Sequence, residues 1–516
     1  MSKHLKNIGV VSLLTVVSRV LGLVRDQLSA AVFDASQLIS TFYVAYRLPN
    51  LFRRLLGEGA LTAAFLPTLQ EELQGRGRAG AFTLLNQVVS WLAVVTGGLV
   101  AVAMLLFSQS RQLASHEDKW YLAADLTVIL FPYLVFVCLA AAFNATLNVL
   151  ERFTEPALSP IWLNLAMILS LGGAGLHFAR TPMAEVHWLC AGVLAGGVLQ
   201  MAVPAAVLMR EGWHPRPDLA RSPQVREIAR LMTPGFFGTA IYQINISVAS
   251  LLAFQLNDKA VTLIYLSNRL MELPIGVFAV AVSTVVYPLI ARHAAERKFT
   301  ALAEDYRRGV RFILLINAPA AAGLALLSGP IVRLLFQHGH FTVDSARAMT
   351  PLVTLFAVGL PFFSITNLTV RAFYALKDTA TPVKIAGIDF IVNLALSLVL
   401  MRRLGTAGLV LASTAAIVVQ TLLLQRALVR RLPDLSFAPL WPTVAKIVVA
   451  TLSMGVMVWG GWQMIEDNVL RPRLADALAV FGLIPLAVLW YGWLLWELRV
   501  EGREEITAWL RKKRGA

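Results

Sequence analysis

Runs of about twenty residues free of Asp, Glu, Lys and Arg recur along the whole sequence, and twenty is the length an α-helix needs to cross the hydrocarbon core of a bilayer. The clearest are Ala79 to Ser110, Leu126 to Leu150, Pro156 to Ala179, Val186 to Met209, Leu231 to Asn257, Phe312 to Val332, Ala348 to Val370, Leu404 to Leu424 and Ala477 to Trp496. Shorter or interrupted stretches, Ile8 to Phe33, Gln37 to Pro67, Ala260 to Ala291, Ile385 to Met401 and Ile447 to Ile465, bring the expectation to about 14 helices. Of 516 residues 57% are apolar and 15% charged, against about 25% charged in an average soluble domain, so a water-soluble surface cannot be built from this inventory. The expected class is an all-α polytopic membrane protein.

Orientation follows from where Lys and Arg collect in short loops. Arg210, Arg216, Arg221, Arg226 and Arg230 share one loop, and Arg292, Arg297, Lys298, Arg307, Arg308 and Arg311 the next of the same parity, whereas Asp258 to Lys259 is sparse. These basic loops and the tail Arg511 to Arg514 are therefore expected in the cytoplasm, together with both termini. The net charge of +15 sits mostly beside hydrophobic spans, where it meets anionic lipid, so nucleic acid is not an expected partner. The first apolar stretch contains Arg19, Arg25 and Asp26 and no small-residue cleavage site, which reads as a retained helix and not a signal peptide. Cys138 and Cys190 fall inside predicted spans and give no disulfide or metal signal. Trp91, Trp120, Trp188, Trp441 and Trp490 lie near span ends and fit an interfacial belt.

A degenerate internal repeat is present. Tyr46-Arg47-Leu48-Pro49-Asn50 resembles Asn268-Arg269-Leu270-Met271-Glu272 at an offset of 222, and Phe65-Leu66-Pro67 resembles Val286-Tyr287-Pro288 at 221. Asn148-Val149-Leu150 and Pro156 match Tyr374-Ala375-Leu376 and Pro382 at 226. The spacing predicts two six-helix lobes, 1–222 and 223–435, two additional helices over 436–498 and a basic tail over 499–516. Six helices return the chain to its starting side, so the lobes are expected to be parallel repeats with substrate between them.

The informative residues are charges inside spans. The first helix carries Ser18, Arg19, Gly22, Arg25 and Asp26, the second Arg47, Asn50, Arg53, Arg54 and Glu58, the eighth Arg269 and Glu272. An arginine at the centre of a span costs roughly 2.5 to 3.5 kcal/mol on insertion scales, so these side chains must face water, substrate or one another. One reading is that Arg47, Arg53 and Arg54 snorkel to an interface or pair with Glu58 and Asp26. The other is a binding site: Arg47, Asn50, Arg54 and Glu58 share a helix face, as do Arg269 and Glu272. Arg19 and Arg25 lie about a third of a turn apart, so a common target requires a bend, which Gly22 permits. Arginine's planar fork suits bidentate contact with phosphate oxygens, so the expected ligand is an anion such as a pyrophosphate. Covalent chemistry finds no support: His177, His187, His338 and His340 lack neighbouring acids for a metal set, and there is no Walker-type glycine loop.

Ser18-Arg19-Val20-Leu21-Gly22 with Arg25-Asp26, Leu48-Pro49-Asn50-Leu51 with Arg53-Arg54 and Glu58-Gly59-Ala60, and Asn268-Arg269-Leu270-Met271-Glu272 with Pro274 and Gly276 together resemble the MurJ/MviN family of lipid II flippases, within the multidrug/oligosaccharidyl-lipid/polysaccharide exporter superfamily. Leu335 to Phe341, and Phe373-Tyr374 with Lys377-Asp378 and Thr381-Pro382-Val383-Lys384, support it. The resemblance implies two lobes around a cationic cavity and two C-terminal helices shaping a groove for the polyprenyl tail. It implies alternating access in the cell inner membrane, and lipid II, membrane lipids and the cell-wall synthesis machinery as partners. It places the essential arginines at Arg19, Arg25 and Arg269, with Arg53 nearer the cytoplasmic entrance and Glu272 as neighbour or counter-charge. The family commonly has an acid before Ala-Phe in the second helix, where this sequence reads Ile39-Ser40-Thr41-Phe42. No cofactor is expected; a coupling ion of unspecified identity is the candidate means of resetting the cavity. The rivals are a flippase or exporter for another lipid-linked oligosaccharide or a drug, and a membrane enzyme acting on polyprenyl phosphates. The enzyme would need carboxylates, and the intramembrane acids are chiefly Asp26, Glu58, Glu272 and Asp389.

Overall fold

The computed structural model describes residues 3–55, 61–109, 118–276 and 280–501. Glu58 and the basic tail beyond residue 501 lie outside these residues. The chain is all-α, with no strand among the described residues. In order the helices are α1 (Lys3–Phe33), α2 (Gln37–Phe52), α3 (Thr62–Ser108), α4 (Asp118–Leu130), α5 (Tyr133–Val149), α6 (Thr154–Ile168), α7 (Pro182–Arg210), α8 (Pro223–Leu256) and α9 (Ala260–Pro274). They continue as α10 (Val280–Ala295), α11 (Phe299–Leu326), α12 (Ser328–Phe336), α13 (Val343–Ala375), α14 (Ala380–Leu404), α15 (Thr406–Arg431), α16 (Trp441–Asn468), α17 (Pro472–Leu478) and α18 (Ile484–Glu497).

Local chemistry sets these limits. Thr181, Ser222 and Thr342 each accept a backbone N–H in the first turn of α7, α8 and α13, and proline follows the first two where its missing N–H costs nothing. Gly405, at φ 57°, turns the chain between α14 and α15. Asp378 fixes the start of α14 by accepting the Thr381 N–H at 3.0 Å and pairs with Arg431 at 3.0 Å. Burial works against its charged form, yet the Thr381 contacts and Arg431 prevail and hold its carboxyl below the usual range.

Nine helical stretches among the described residues are long and apolar enough to cross a membrane, or ten if the α4–α5 pair, bent by 41° at Phe131–Pro132, is one span. The sequence expectation of about 14 differs at α1, α2, α8 and α9–α10. They are helical, and all but α8 carry the charges singled out above. Within the stretch expected as one span from Gln37 to Pro67, α2 contains Pro49 and passes at Phe52 into π-helical backbone over 53–55, and α3 begins at Thr62; residues 56–60 lie outside the described residues. Within α3 the helix breaks at Gly77, whose φ of 66° and ψ of −164° are open to glycine.

By packing the chain separates into two compact units, Met1–Thr262 and Leu263–Ala516. In the first, Phe65, Leu69 and Leu85 of α3 pack with Phe143 and Leu147 of α5, Leu208 of α7 and Trp213. In the second, Tyr306 and Ile313 of α11 pack with Leu368 and Phe373 of α13 and Leu424 and Leu428 of α15. A further cluster joins Leu327 to Met454 and Val458 of α16 and Tyr491 of α18. The packing boundary falls one helix later than the repeat boundary at 222, because α8 lies against α2 and α3.

The segment between α7 and α8 is tied along α3. Trp213 Nε1 donates to Asn86 Oδ1 at 2.8 Å, the Asp218 N–H to Ser90 Oγ at 2.9 Å, and Ser222 Oγ to Gln87 Oε1 at 2.7 Å.

Candidate functional site

Arg25 and Asp26 occupy the contact between α1 and α6. Asp26 is fully buried, and its Oδ1 accepts from Arg25 Nε at 3.0 Å and Nη2 at 2.6 Å. From the other side of the guanidinium, Arg25 Nη1 donates to Asn164 Oδ1 at 3.1 Å and approaches Met167 Sδ at 3.8 Å. Asn164 Nδ2 donates in turn to the Ser18 carbonyl at 3.1 Å. Ser18 thus enters through its backbone. Arg19 is half-buried on α1, which runs as one helix through Gly22, so its side chain leaves about a third of a turn away from that of Arg25.

On α2, Arg47 Nη1 donates to the Ile246 carbonyl of α8 at 2.8 Å. Asn50 Oδ1 accepts from Arg53 Nε at 2.9 Å, and Asn50 Nδ2 donates to the Tyr46 carbonyl at 3.3 Å. Arg54 is exposed. Asp26 pairs with Arg25, its own chain neighbour, and Arg47 and Asn50 have different partners, Arg47 on α8 and Asn50 on its own helix. Ser40, where the family pattern has an acid, is fully buried: its hydroxyl donates to the Asp258 carbonyl at 2.6 Å and lies 2.8 Å from Thr262 Oγ1. Nearby Lys119 Nζ lies 3.9 Å from Asp258 Oδ1 and over the Phe254 ring.

In the second unit Glu272 is a shared acceptor: Arg269 Nη1 donates to its Oε2 at 3.3 Å and Asn268 Nδ2 to its Oε1 at 3.1 Å. Glu272 is about half exposed. Asp389 is half-buried on α14.

The family described as Lipid II flippase MurJ matches residues 29–470. The chain belongs to the lipid II flippase MurJ family. Among its relatives, a probable lipid II flippase MurJ of Haemophilus influenzae is 32% identical over 471 residues, covering 86% of this chain and 90% of that protein. The fold matches a structure described as lipid II flippase MurJ in an inward closed conformation, with a TM-score of 0.75 at 23% identity, over 95% of this chain and 99% of that one. It also matches an inward-facing multidrug resistance MATE family transporter of the MOP superfamily, with a TM-score of 0.62 at 13% identity, over 81% and 95% of the two chains. As a MurJ family member the chain is a flippase and not an enzyme, and a multi-pass membrane protein. No group of three or more His, Cys, Asp or Glu that could hold a metal ion occurs among the described residues.

The MurJ match begins four residues after Arg25, so the α1 cluster stands on its geometry. Sequence reasoning missed Asn164. The available signal was a lone amide in the apolar span Pro156 to Ala179, where a polar side chain needs a partner.

Proposed function

We propose that this protein carries lipid II, an undecaprenyl-pyrophosphate-linked disaccharide-pentapeptide, from the cytoplasmic to the periplasmic leaflet of the inner membrane. The observation that carries the reading is the family match through residues 29–470, which includes Arg47, Arg53, Arg269 and Glu272. The pyrophosphate is bound by guanidinium groups of Arg19, Arg25 and Arg269, with Arg53 at the entrance, since a charged fork meets phosphate oxygens with paired hydrogen bonds. Ser18, Arg47, Asn50 and Arg54 add to the substrate-binding set, and Asp26, Glu58 and Glu272 belong to it as neighbours or counter-charges of the arginines. The polyprenyl tail stays in lipid against the helices of 436–498. The lobes of residues 1–222 and 223–435 rock about the headgroup, and both termini lie in the cytoplasm.

An inside-negative potential favours outward movement of negative charge by about 2.3 kcal/mol per charge per 100 mV. The emptied cationic cavity must then be reset, and a counter-ion entering it supplies the compensating charge. Cell-wall synthesis enzymes that consume lipid II are the expected neighbours.

The test is lipid II translocation in cells depleted of their own flippase, with Arg25→Ala and Arg269→Ala compared at matched membrane levels. Wild type is expected to restore flipping and each variant to fall at least about tenfold, the loss of one charge-assisted contact of roughly 1.5–3 kcal/mol. Failure of wild type would make the substrate wrong; variants equal to wild type would make the site wrong.

A further inference from the structure

Asn164 has one face of its amide on helix α1's backbone and the other on helix α1's arginine. Ser18 and Arg25 are seven residues apart, two turns within about 20°, so both lie on the stripe of α1 that meets α6. A side chain bridging them needs a donor for the Ser18 carbonyl and an acceptor for the Arg25 guanidinium, and a planar amide has both. Asn164 makes these two bonds at 3.1 Å each and is itself 6% exposed.

We infer that Asn164 is a positioning residue for Arg25: it fixes where that guanidinium sits for the anionic headgroup without cancelling its charge. The inference rests on the reading of Arg25 as a pyrophosphate ligand. Asp26 already supplies one buried carboxylate to the Nε and Nη2 edge of the guanidinium. A second carboxylate at 164 would add a negative charge beside the guanidinium and oppose an incoming phosphate. The neutral amide holds the Nη1 edge while leaving the electrostatic balance to the substrate. The interaction is local to the first compact unit, between residues 139 apart in sequence. A long arginine side chain has rotamer entropy to lose on binding, and prior immobilisation at both edges removes part of that cost from the substrate-binding step.

Two measurements on the full-length protein in lipid nanodiscs test it. The first is the rate of phenylglyoxal modification at Arg25, read by peptide mass spectrometry. Asn164→Ala is expected to accelerate it, and Asn164→Asp to leave it slow because an acceptor remains. An unchanged rate in Asn164→Ala overturns the positioning role whatever Arg25 does. The second is lipid II affinity in a double-mutant cycle with Arg25→Ala. Asn164→Ala alone is expected to weaken binding about five- to tenfold, and to add nothing once Arg25 is gone. Additive losses, or a lower melting temperature with unchanged affinity, would reduce Asn164 to a packing residue and overturn the proposal. If Arg25→Ala leaves lipid II affinity intact while Asn164→Ala still exposes Arg25 to the reagent, the pyrophosphate reading fails and the positioning geometry survives.

Discussion

Ser40 shows how one atom's hydrogen-bonding role decides what a position tolerates. Its hydroxyl donates to the Asp258 carbonyl from a fully buried position, and an ionised carboxylate there could only accept. Ser40→Asp is therefore expected to be more destabilising than Ser40→Ala. The alanine loses a bond worth about 1 kcal/mol, and the aspartate adds the cost of a buried charge facing a carbonyl oxygen. Melting temperatures of the two variants in detergent check the order, and equal values would contradict it. Asp378 gives a pH-dependent case. Because its carboxyl is held below its ordinary value in the folded protein, its contribution is present above the unfolded value and lost as pH falls through the folded one. Asp378→Asn is expected to melt below wild type at neutral pH, with the gap closing below about pH 4, where the unfolded-state carboxyl protonates. A gap constant with pH would mean that the cap, and not the charge, carries the effect.

Among the elements, α6 and α7 approach so closely that side chains are excluded from one face of α7. A Cβ on Gly192 would stand 2.9 Å from Met167 Cα, and one on Gly196 2.9 Å from Leu163 Cα. These glycines are four residues apart, the small-xxx-small spacing by which membrane helices bring backbones together. Gly196→Val is expected to force α6 away and to lower accumulation in the membrane severalfold, measured by quantitative blotting. Normal accumulation would show that α6 can shift without loss. Leu163 is the neighbour of Asn164, so any surviving protein should also show the fast Arg25 modification of Asn164→Ala. Helix existence was legible from the sequence over most of this region, since charge-free runs of spanning length have few alternatives to a helix in lipid. The interruptions were less legible. The break of α3 falls at Gly77, where a Cβ would meet nothing within 4 Å, and the bend of 41° at Phe131–Pro132; glycine and proline permit such breaks without dictating them.

At the scale of the molecule, an ion pair adds to the apolar packing that holds the C-terminal helices within the second compact unit. Arg333 on α12 donates to both oxygens of Asp476 on α17 and lies over the Trp462 ring of α16. Asp476 is 4% exposed and Arg333 34%, so loss of the arginine strands a buried carboxylate, whereas loss of the acid leaves a cation that can reach water. Arg333→Ala is expected to lower the melting temperature more than Asp476→Ala. A fully buried pair broken this way costs roughly 3–5 kcal/mol, and this half-open one less. The reverse order would show that Asp476 has another means of solvation. The sequence by itself determined the helical membrane class, the arginine set and the family, because apolar run length and residue identity are properties of the chain read in order. Only the tertiary structure decided that Arg25 turns to Asn164, that Arg47 reaches α8, that Ser40 satisfies a carbonyl, and that α8 packs with the first unit. Each of these is a pairing of residues far apart in sequence, and which partner a buried polar group finds depends on helix packing that no local pattern encodes.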